Sequence, residues 1–217
     1  MVFSGKTTLV HRILKEWERL VRDSPPIWQF ILVYEHEQPI YDDMIRVLKE
    51  KFPNCVIKCF WGWDEKEMSN PTLFRSTAEG QTLLVVDDSH HKVNKSEAFL
   101  KICRGKAHHE RITVFIIFQD LSSAGGGHEF RSALKNIHYF LVTQGSSELL
   151  QHIQRKLYTY MRSFIQSAFE AARECCAGGG RSYPYILINA TVSCPKEWSV
   201  TTGVFQGEEP FLLAPVV

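Results

Sequence analysis

Residues 2–10 of this 217-residue chain read VFSGKTTLV, and the interpretation of the rest depends on this stretch. Gly5, Lys6 and Thr7 match the last three positions of the pattern G-x-x-x-x-G-K-[ST], which lies between a buried strand and a helix and binds phosphate. Backbone N–H groups around Gly5 and the partial positive charge of the helix N-terminus both favour an anion. The pattern therefore predicts that Ser4, Gly5, Lys6, Thr7 and Thr8 contact a nucleotide. Lys6 would reach the β- and γ-phosphates, and Thr7 would bind Mg²⁺.

The first glycine of this pattern would fall immediately before Met1. We therefore expect the chain to be truncated at its N-terminus, with the first strand of the sheet missing. A plainer alternative is an ordinary helix start in which Ser4 is the N-cap.

Composition places the chain among globular proteins and excludes several classes. The chain is 44% hydrophobic and 23% charged, with a net charge of +1, so any nucleic-acid surface must be local. No segment resembles a signal peptide or a membrane span, and the six cysteines form no C-x-x-C pair. We expect one domain over residues 1–217, in the nucleus or cytoplasm, with residues 183–210 as closing strands.

Apolar runs alternate with amphipathic stretches along most of the chain. IWQFILVY at 27–34 and ITVFIIFQ at 112–119 are typical of strands buried on both faces of a parallel sheet. Residues 6–22 place apolar side chains on one face of a helix. This alternation predicts an α/β fold, a mostly parallel sheet with helices on both faces. Further strands are predicted at 55–62, 82–88 and 137–144, and further helices at 40–52, 96–103, 129–136 and about 147–176.

Acidic and amide side chains follow two of the predicted strands. TLLVVDD at 82–88 ends in Asp87, which is placed to hold Mg²⁺, and Asp88, which is placed to polarise an attacking water. Gln119 ends the next strand, where it could orient water or sense the γ-phosphate. The alternative for each is a strand end with solvated polar groups.

Two pairs of adjacent histidines, at 90–91 and 108–109, do not have the spacing of zinc ligands. Lys101, Arg104, Lys106 and Arg111 surround the second pair. These cations are interpreted either as charges favourably placed at a helix C-terminus, or as an arginine finger or a surface facing DNA.

Five stretches of the chain, taken in order, resemble motifs of the genome-packaging ATPases of Polinton/Maverick elements and adintovirus-like viruses. They are SGKTTLV, ILVYEHEQPIYDDMI, TLLVVDDSHH, AHHERITVFIIFQDL and IHYFLVTQ. Those proteins belong to the FtsK–HerA group, with the poxvirus packaging ATPase. The resemblance covers most of residues 3–210. It implies a RecA-like P-loop core, ATP and Mg²⁺ as cofactors, a homo-oligomeric ring, translocation of double-stranded DNA, and capsid proteins as partners, with no role for a membrane. It also implies a viral factory or virion as the location of an active element.

The resemblance assigns Lys6 and Thr7 to phosphate and metal, Asp87 and Asp88 to the acidic pair, and Gln119 to the sensor. It implies an arginine after the second histidine pair, but Glu110 is there and Arg111 follows. It also places the missing strand centrally, between the strands of 112–119 and 137–144. Two other functions stay open, a nucleoside or nucleotide kinase and an inactive remnant of the ATPase.

Overall fold

A computed structural model describes residues 5–21, 25–74, 80–117, 136–143, 162–179, 183–191, 193 and 200–212. They fall into two compact units. One unit is Thr7–Asn136, and the other comprises Met1–Lys6 and Ile137–Val217. The predicted helix at 129–136 and the first part of the one at about 147–176 lie outside the described residues, apart from Asn136.

The first unit is an α/β structure, as the sequence predicts, and its sheet is entirely parallel. The strand order is β2-β1-β3-β4. The apolar run at 27–34 forms a strand over its whole length, at the centre of the sheet beside β3. The four strands are β1 (Ile27–Tyr34), β2 (Val56–Trp61), β3 (Gln81–Asp87) and β4 (Ile112–Ile117).

Helices flank this sheet. The predicted helix at 6–22 is interrupted at Glu16, and a second helix begins at Trp17. Over the part of the chain that the structure describes, no helix is long and apolar enough to cross a membrane. The helices of the unit are α1 (Lys6–Lys15), α2 (Trp17–Leu20), α3 (Pro39–Lys51), α4 (Glu65–Ser69), α5 (His90–Val93), α6 (Glu97–Lys101) and α7 (Ala107–His109).

Helices α1 and α3 pack on one face of the sheet. Leu14 of α1 and Met44 of α3 join Phe30, Leu32 and other side chains of the strands in one buried cluster. Alternate side chains of a strand point to opposite faces, and those of β1 and β3 that point the other way are also fully buried. Burial of each large aliphatic side chain contributes about 1.5–3 kcal/mol, so the sheet is held from both sides.

Local sequence explains where α3 begins and ends. Gln38 is extended and precedes Pro39, whose fixed backbone angle and missing N–H suit the first helical position. Asp42 lies in the first turn and Lys49 and Lys51 in the last, which matches the direction of the helix dipole. Only four residues, 35–38, separate the end of β1 from this helix, so it starts near the end of the sheet to which that strand leads.

The helix predicted at 96–103 is longer than expected and changes type. After α6, residues Ile102–Lys106 form a π-helical segment, and α7 follows directly. Arg104 and Lys106 lie in this segment, so these cations are not at the C-terminus of a simple α-helix. Lys106 Nζ lies 5.3 Å from the centre of the Phe74 ring, a cation–π contact.

Strand β4 is at one end of the parallel sheet, and no described residue pairs with its outer edge. The strand predicted at 137–144 is not part of this sheet. It forms β5 (Tyr139–Val142), whose described partner is an antiparallel strand of the second unit.

The second unit contains an antiparallel sheet in the order β5-β6-β7-β8. The helix α8 (Arg162–Gly179) contributes Ile165, Ala168 and Phe169 to a buried cluster with β5 and β6. Tyr185 is fully buried, and its hydroxyl accepts a hydrogen bond from the backbone N–H of Val204. The remaining strands are β6 (Ile186–Asn189), β7 (Val200–Thr202) and β8 (Phe211–Leu212).

Candidate functional site

The carboxyl ends of the parallel strands meet at one edge of the first unit. In the strand register, Tyr34 of β1 is opposite both Trp61 of β2 and Asp87 of β3. Asp87 is in turn opposite Ile117, the last residue of β4. Ligands of open parallel sheets bind at this edge, because the loops and helix N-termini that follow the strands converge there.

Thr7 and Asp87, both predicted to hold Mg²⁺, are in direct contact. The Thr7 hydroxyl donates a hydrogen bond to Asp87 Oδ2 at 2.9 Å, across 80 positions of sequence. Thr7 lies in the first turn of α1 and Asp87 ends β3. The contact therefore joins Thr7, a residue of the predicted phosphate-binding motif, to the acidic end of a buried strand.

A second hydroxyl binds the same carboxylate oxygen. Tyr41, in the first turn of α3, donates a hydrogen bond from its hydroxyl to Asp87 Oδ2 at 2.9 Å. Gln38 Nε2 donates to the Tyr41 hydroxyl oxygen at 3.0 Å. Because the amide donates to this oxygen, the Tyr41 proton is directed to Asp87. Asp87 is only 1% exposed, so these donors supply polar contacts that water cannot supply freely.

The surroundings of Tyr41 keep its hydroxyl protonated. Burial is the main cause that raises the pKa of Tyr41 far above its ordinary value, and the charge and hydrogen bond of Asp87 add to it. Its ring packs on that of Tyr34, with centroids 5.1 Å apart. Tyr41 was not among the site residues predicted from the sequence. The sequence signal for it was its position in the first turn of α3, the helix that follows β1. Strand β1 pairs with β3, which ends at Asp87.

Asp88, the predicted water-polarising residue, follows β3 directly and has an unusual backbone. Its φ is +57°, in the left-handed region that few non-glycine residues adopt. Aspartate is among the residues that tolerate this region best. The turn at Asp88 lets the chain leave the end of the sheet and begin α5 two residues later. Backbone conformations of this kind cluster at functional sites.

A further polar cluster lies at the same edge of the sheet, around Glu35. Its Oε1 accepts a hydrogen bond from the Ser89 hydroxyl at 3.2 Å and lies 3.2 Å from Lys92 Nζ. Gly62, after β2, has a φ of +73°, and a Cβ there would lie 2.8 Å from Lys92 Nζ. This cluster was not predicted from the sequence, although Glu35 and Ser89 each directly follow a predicted strand and Gly62 is the last residue of another.

Gly5 belongs to the second unit, and both its backbone conformation and its close neighbour require glycine at this position. Its φ is +67°, and an added Cβ would lie 2.4 Å from Cγ of Tyr183. Lys6 begins α1 and has at least one polar or electrostatic interaction. Thr8 follows Thr7 in the same helix and is partly buried. Ser4 and Gln119 lie outside the described residues.

Oxygen donors of the kind that Mg²⁺ prefers come together at Thr7 and Asp87. Mg²⁺ in nucleotide sites is held by one or two carboxylates and the substrate phosphates, with water completing its octahedron. One buried carboxylate and one hydroxyl fit that arrangement. Within the described ranges, no three His, Cys, Asp or Glu side chains form a group that could hold a metal by themselves.

Of the four predicted basic residues, Lys101, Arg104 and Arg111 are exposed and Lys106 is partly buried. Lys101 Nζ lies 3.7 Å from Glu97 Oε2, one helical turn away, in an exposed ion pair. Arg111 has a φ of +49° and precedes β4, with its carbonyl bound by the backbone N–H of Thr82. The four residues occupy the π-helical segment and its two flanks.

No family model, curated protein or solved structure matches this chain.

Proposed function

We propose that this chain is a Mg²⁺-dependent P-loop ATPase, and that ATP hydrolysis drives the translocation of double-stranded DNA into a capsid. The hydrogen bond from Thr7 to Asp87 carries the first part of this proposal. In a P-loop site the threonine and the acid of the neighbouring strand act on the same metal ion. The contact between them supports the sequence assignment of both residues.

Each polar group has a distinct part in this proposal. Lys6 balances the charge of the β- and γ-phosphates, and the N–H groups after Gly5 bind phosphate oxygens. Thr7 and Asp87 hold Mg²⁺, which supplies charge neutralisation at the transferred phosphoryl group. Asp88 orients and polarises the attacking water. Gln119, from the following strand, senses the γ-phosphate.

The DNA part of the proposal rests on the resemblance to packaging ATPases and on the basic segment. Because its net charge is only +1, one subunit by itself is not expected to bind DNA tightly. A homo-oligomeric ring would repeat Lys101, Arg104, Lys106 and Arg111 around a channel, and the phosphate contacts would add up. Such binding is independent of sequence and weakens steeply with salt.

The ATPase proposal is tested by measuring phosphate release from ATP with Mg²⁺, with and without double-stranded DNA. We expect hydrolysis that EDTA abolishes, and its loss in Lys6→Ala. Lys15→Ala is the matched control, because Lys15 is an exposed cation at the other end of the same helix. Hydrolysis that survives Lys6→Ala contradicts the proposal. Phosphate transfer to a nucleoside in place of water assigns the chain to the kinases.

The DNA proposal needs its own measurement, which is affinity for a DNA duplex at low and at high salt in the presence of ATP. Replacing Arg104 by Ala is expected to weaken binding and to lower the salt slope by about 1 for each DNA phosphate that Arg104 neutralises. Lys66→Ala removes an exposed cation from α4 and serves as the control. Equal effects of the two variants contradict a role for the basic segment.

A further inference from the structure

We propose that Tyr41 is a positioning residue that orients the Asp87 carboxylate for Mg²⁺, and that Gln38 sets the direction of the Tyr41 hydroxyl. This inference rests on the proposed function, since it concerns the metal of the same site. It adds two residues that the P-loop and the acidic pair do not include. The sequence places both of them before or within the first turn of α3.

The geometry around Asp87 carries this inference. Two hydroxyl groups, from Thr7 and Tyr41, donate to the same oxygen, Oδ2, each at 2.9 Å. The two donors come from different helices, so they restrain this carboxylate from two directions. Outer groups of this kind orient metal-binding carboxylates, and their mutation typically lowers metal affinity or activity by about 10- to 100-fold.

The chain makes Tyr41 a rigid donor. The residue is 5% exposed, and its ring is packed against Tyr34. Its first-turn position on α3 holds it beside the end of β3. A tyrosine is also suited to this role because its hydroxyl can donate to Asp87 while accepting from another group.

Gln38 determines which way that hydroxyl points. Its amide nitrogen donates to the Tyr41 oxygen at 3.0 Å, which leaves the Tyr41 proton for Asp87. A carboxylate in place of the amide could only accept, and it would compete with Asp87 for the same proton. Gln38→Glu therefore reverses the contact with almost no change of shape, and it serves as a second, independent variant.

The experiment measures binding by calorimetry, with a non-hydrolysable ATP analogue titrated into protein at a series of Mg²⁺ concentrations. For Tyr41→Phe we expect the Mg²⁺ concentration at half-maximal enhancement of binding to rise about tenfold. Binding of the analogue in EDTA should stay unchanged. Gln38→Glu should shift the Mg²⁺ requirement in the same direction. Tyr34→Phe, which removes a hydroxyl from the neighbouring ring, should leave it as in the wild type.

The outcomes separate this inference from the proposed function. If the wild-type chain binds the analogue equally with and without Mg²⁺, both the proposed function and the role of Tyr41 are wrong. If the wild type depends on Mg²⁺ and Tyr41→Phe matches Tyr34→Phe, only the role of Tyr41 is wrong. If Tyr41→Phe weakens binding equally in Mg²⁺ and in EDTA, Tyr41 has a structural role and the inference fails. The inference also fails if Tyr41→Phe does not fold and Gln38→Glu has the Mg²⁺ requirement of the wild type.

Discussion

Thr7 Oγ1 lies 2.9 Å from Asp87 Oδ2, although 80 positions separate the two residues. One residue lies in the first turn of a helix and the other ends a buried strand, and neither has its predicted chemistry without the other. The contact also bears on stability, because a hydrogen bond to a charged group contributes about 1.5–3 kcal/mol. The same hydroxyl therefore supports the fold and, in the proposed function, the metal.

Thr7→Val is expected to separate these contributions, because valine has nearly the shape of threonine without its hydroxyl. We expect affinity for Mg²⁺ and ATP together to fall about tenfold or more, since the variant removes the proposed metal ligand, which also donates to Asp87. Thr7→Ser keeps the hydroxyl and should bind almost as the wild type does. Calorimetric titration measures both. Comparable losses in the serine and valine variants would show that the effect is not specific to the hydroxyl, and wild-type affinity in Thr7→Val would show that the hydroxyl is not needed.

Asp88→Asn tests whether Asp88 positions the attacking water. Asparagine tolerates a φ of +57° at least as well as aspartate, so the change removes charge without straining the turn. We expect turnover at saturating ATP to fall about 100-fold, the usual scale for a lost general base, with nucleotide affinity nearly unchanged. Steady-state kinetics and equilibrium binding give the two quantities. A variant that loses affinity but keeps its turnover would assign Asp88 to metal binding or to the fold.

Much of the first unit could be predicted from sequence. The run at 27–34 is apolar at nearly every position, and such a run in a parallel sheet leaves little choice of bounds. The same holds for β3, where the change from Val86 to Asp87 marks the end of the strand. Thr7 and Asp87 could be paired in advance, because in P-loop sites the threonine of the loop and the acid that ends a neighbouring strand hold the same metal ion.

The contact of Tyr41 with Asp87 could not be read in the same way. It depends on how α3 crosses the sheet and on the side-chain rotamer of one tyrosine, and neither leaves a periodic signal. The π-helical segment at Ile102–Lys106 also gives no sequence signal, because its five residues are too few to show a period of their own. The pairing of β5 with β6 joins residues 44 to 50 positions apart, and no short-range pattern specifies it.

Glycine variants separate backbone strain from steric conflict at Gly5. Gly5→Ala combines a φ of +67° with a Cβ only 2.4 Å from Cγ of the Tyr183 ring. Gly207→Ala has a φ of +81° but nothing within 4 Å of its Cβ, and Gly105→Ala has neither problem. We expect Gly207→Ala to lose about 1–2 kcal/mol of unfolding free energy, the cost of a left-handed residue, and Gly5→Ala to lose more.

Gly105→Ala should be neutral or slightly stabilising, since alanine is favoured over glycine inside helices by about 1 kcal/mol. Denaturant unfolding of the three variants beside the wild type gives these values. The order of stability is the decisive result. If Gly5→Ala is no less stable than Gly207→Ala, the close approach of Tyr183 costs nothing and the ring is free to move.

His11 is expected to make the protein less stable as the pH falls below 6.5. Its side chain is buried on α1, and Nε2 has no hydrogen-bond partner among the residues that the structure describes. Burial is the first cause that lowers the pKa of His11 from its ordinary 6.5. Lys15 and Arg46 add to the effect, and Asp43 opposes it. Between the lowered folded value and 6.5, the unfolded chain therefore binds more protons than the folded one, and acid favours unfolding.

His11→Gln removes this titration, so its stability should fall less between pH 7 and pH 5 than that of the wild type. The measurement is the change in unfolding free energy over that interval, which does not depend on how well glutamine packs. His36→Gln is the matched control, because His36 is an exposed histidine outside α1. A wild-type slope in His11→Gln, or an equal change in both variants, would mean that His11 accepts its proton at no cost to the fold.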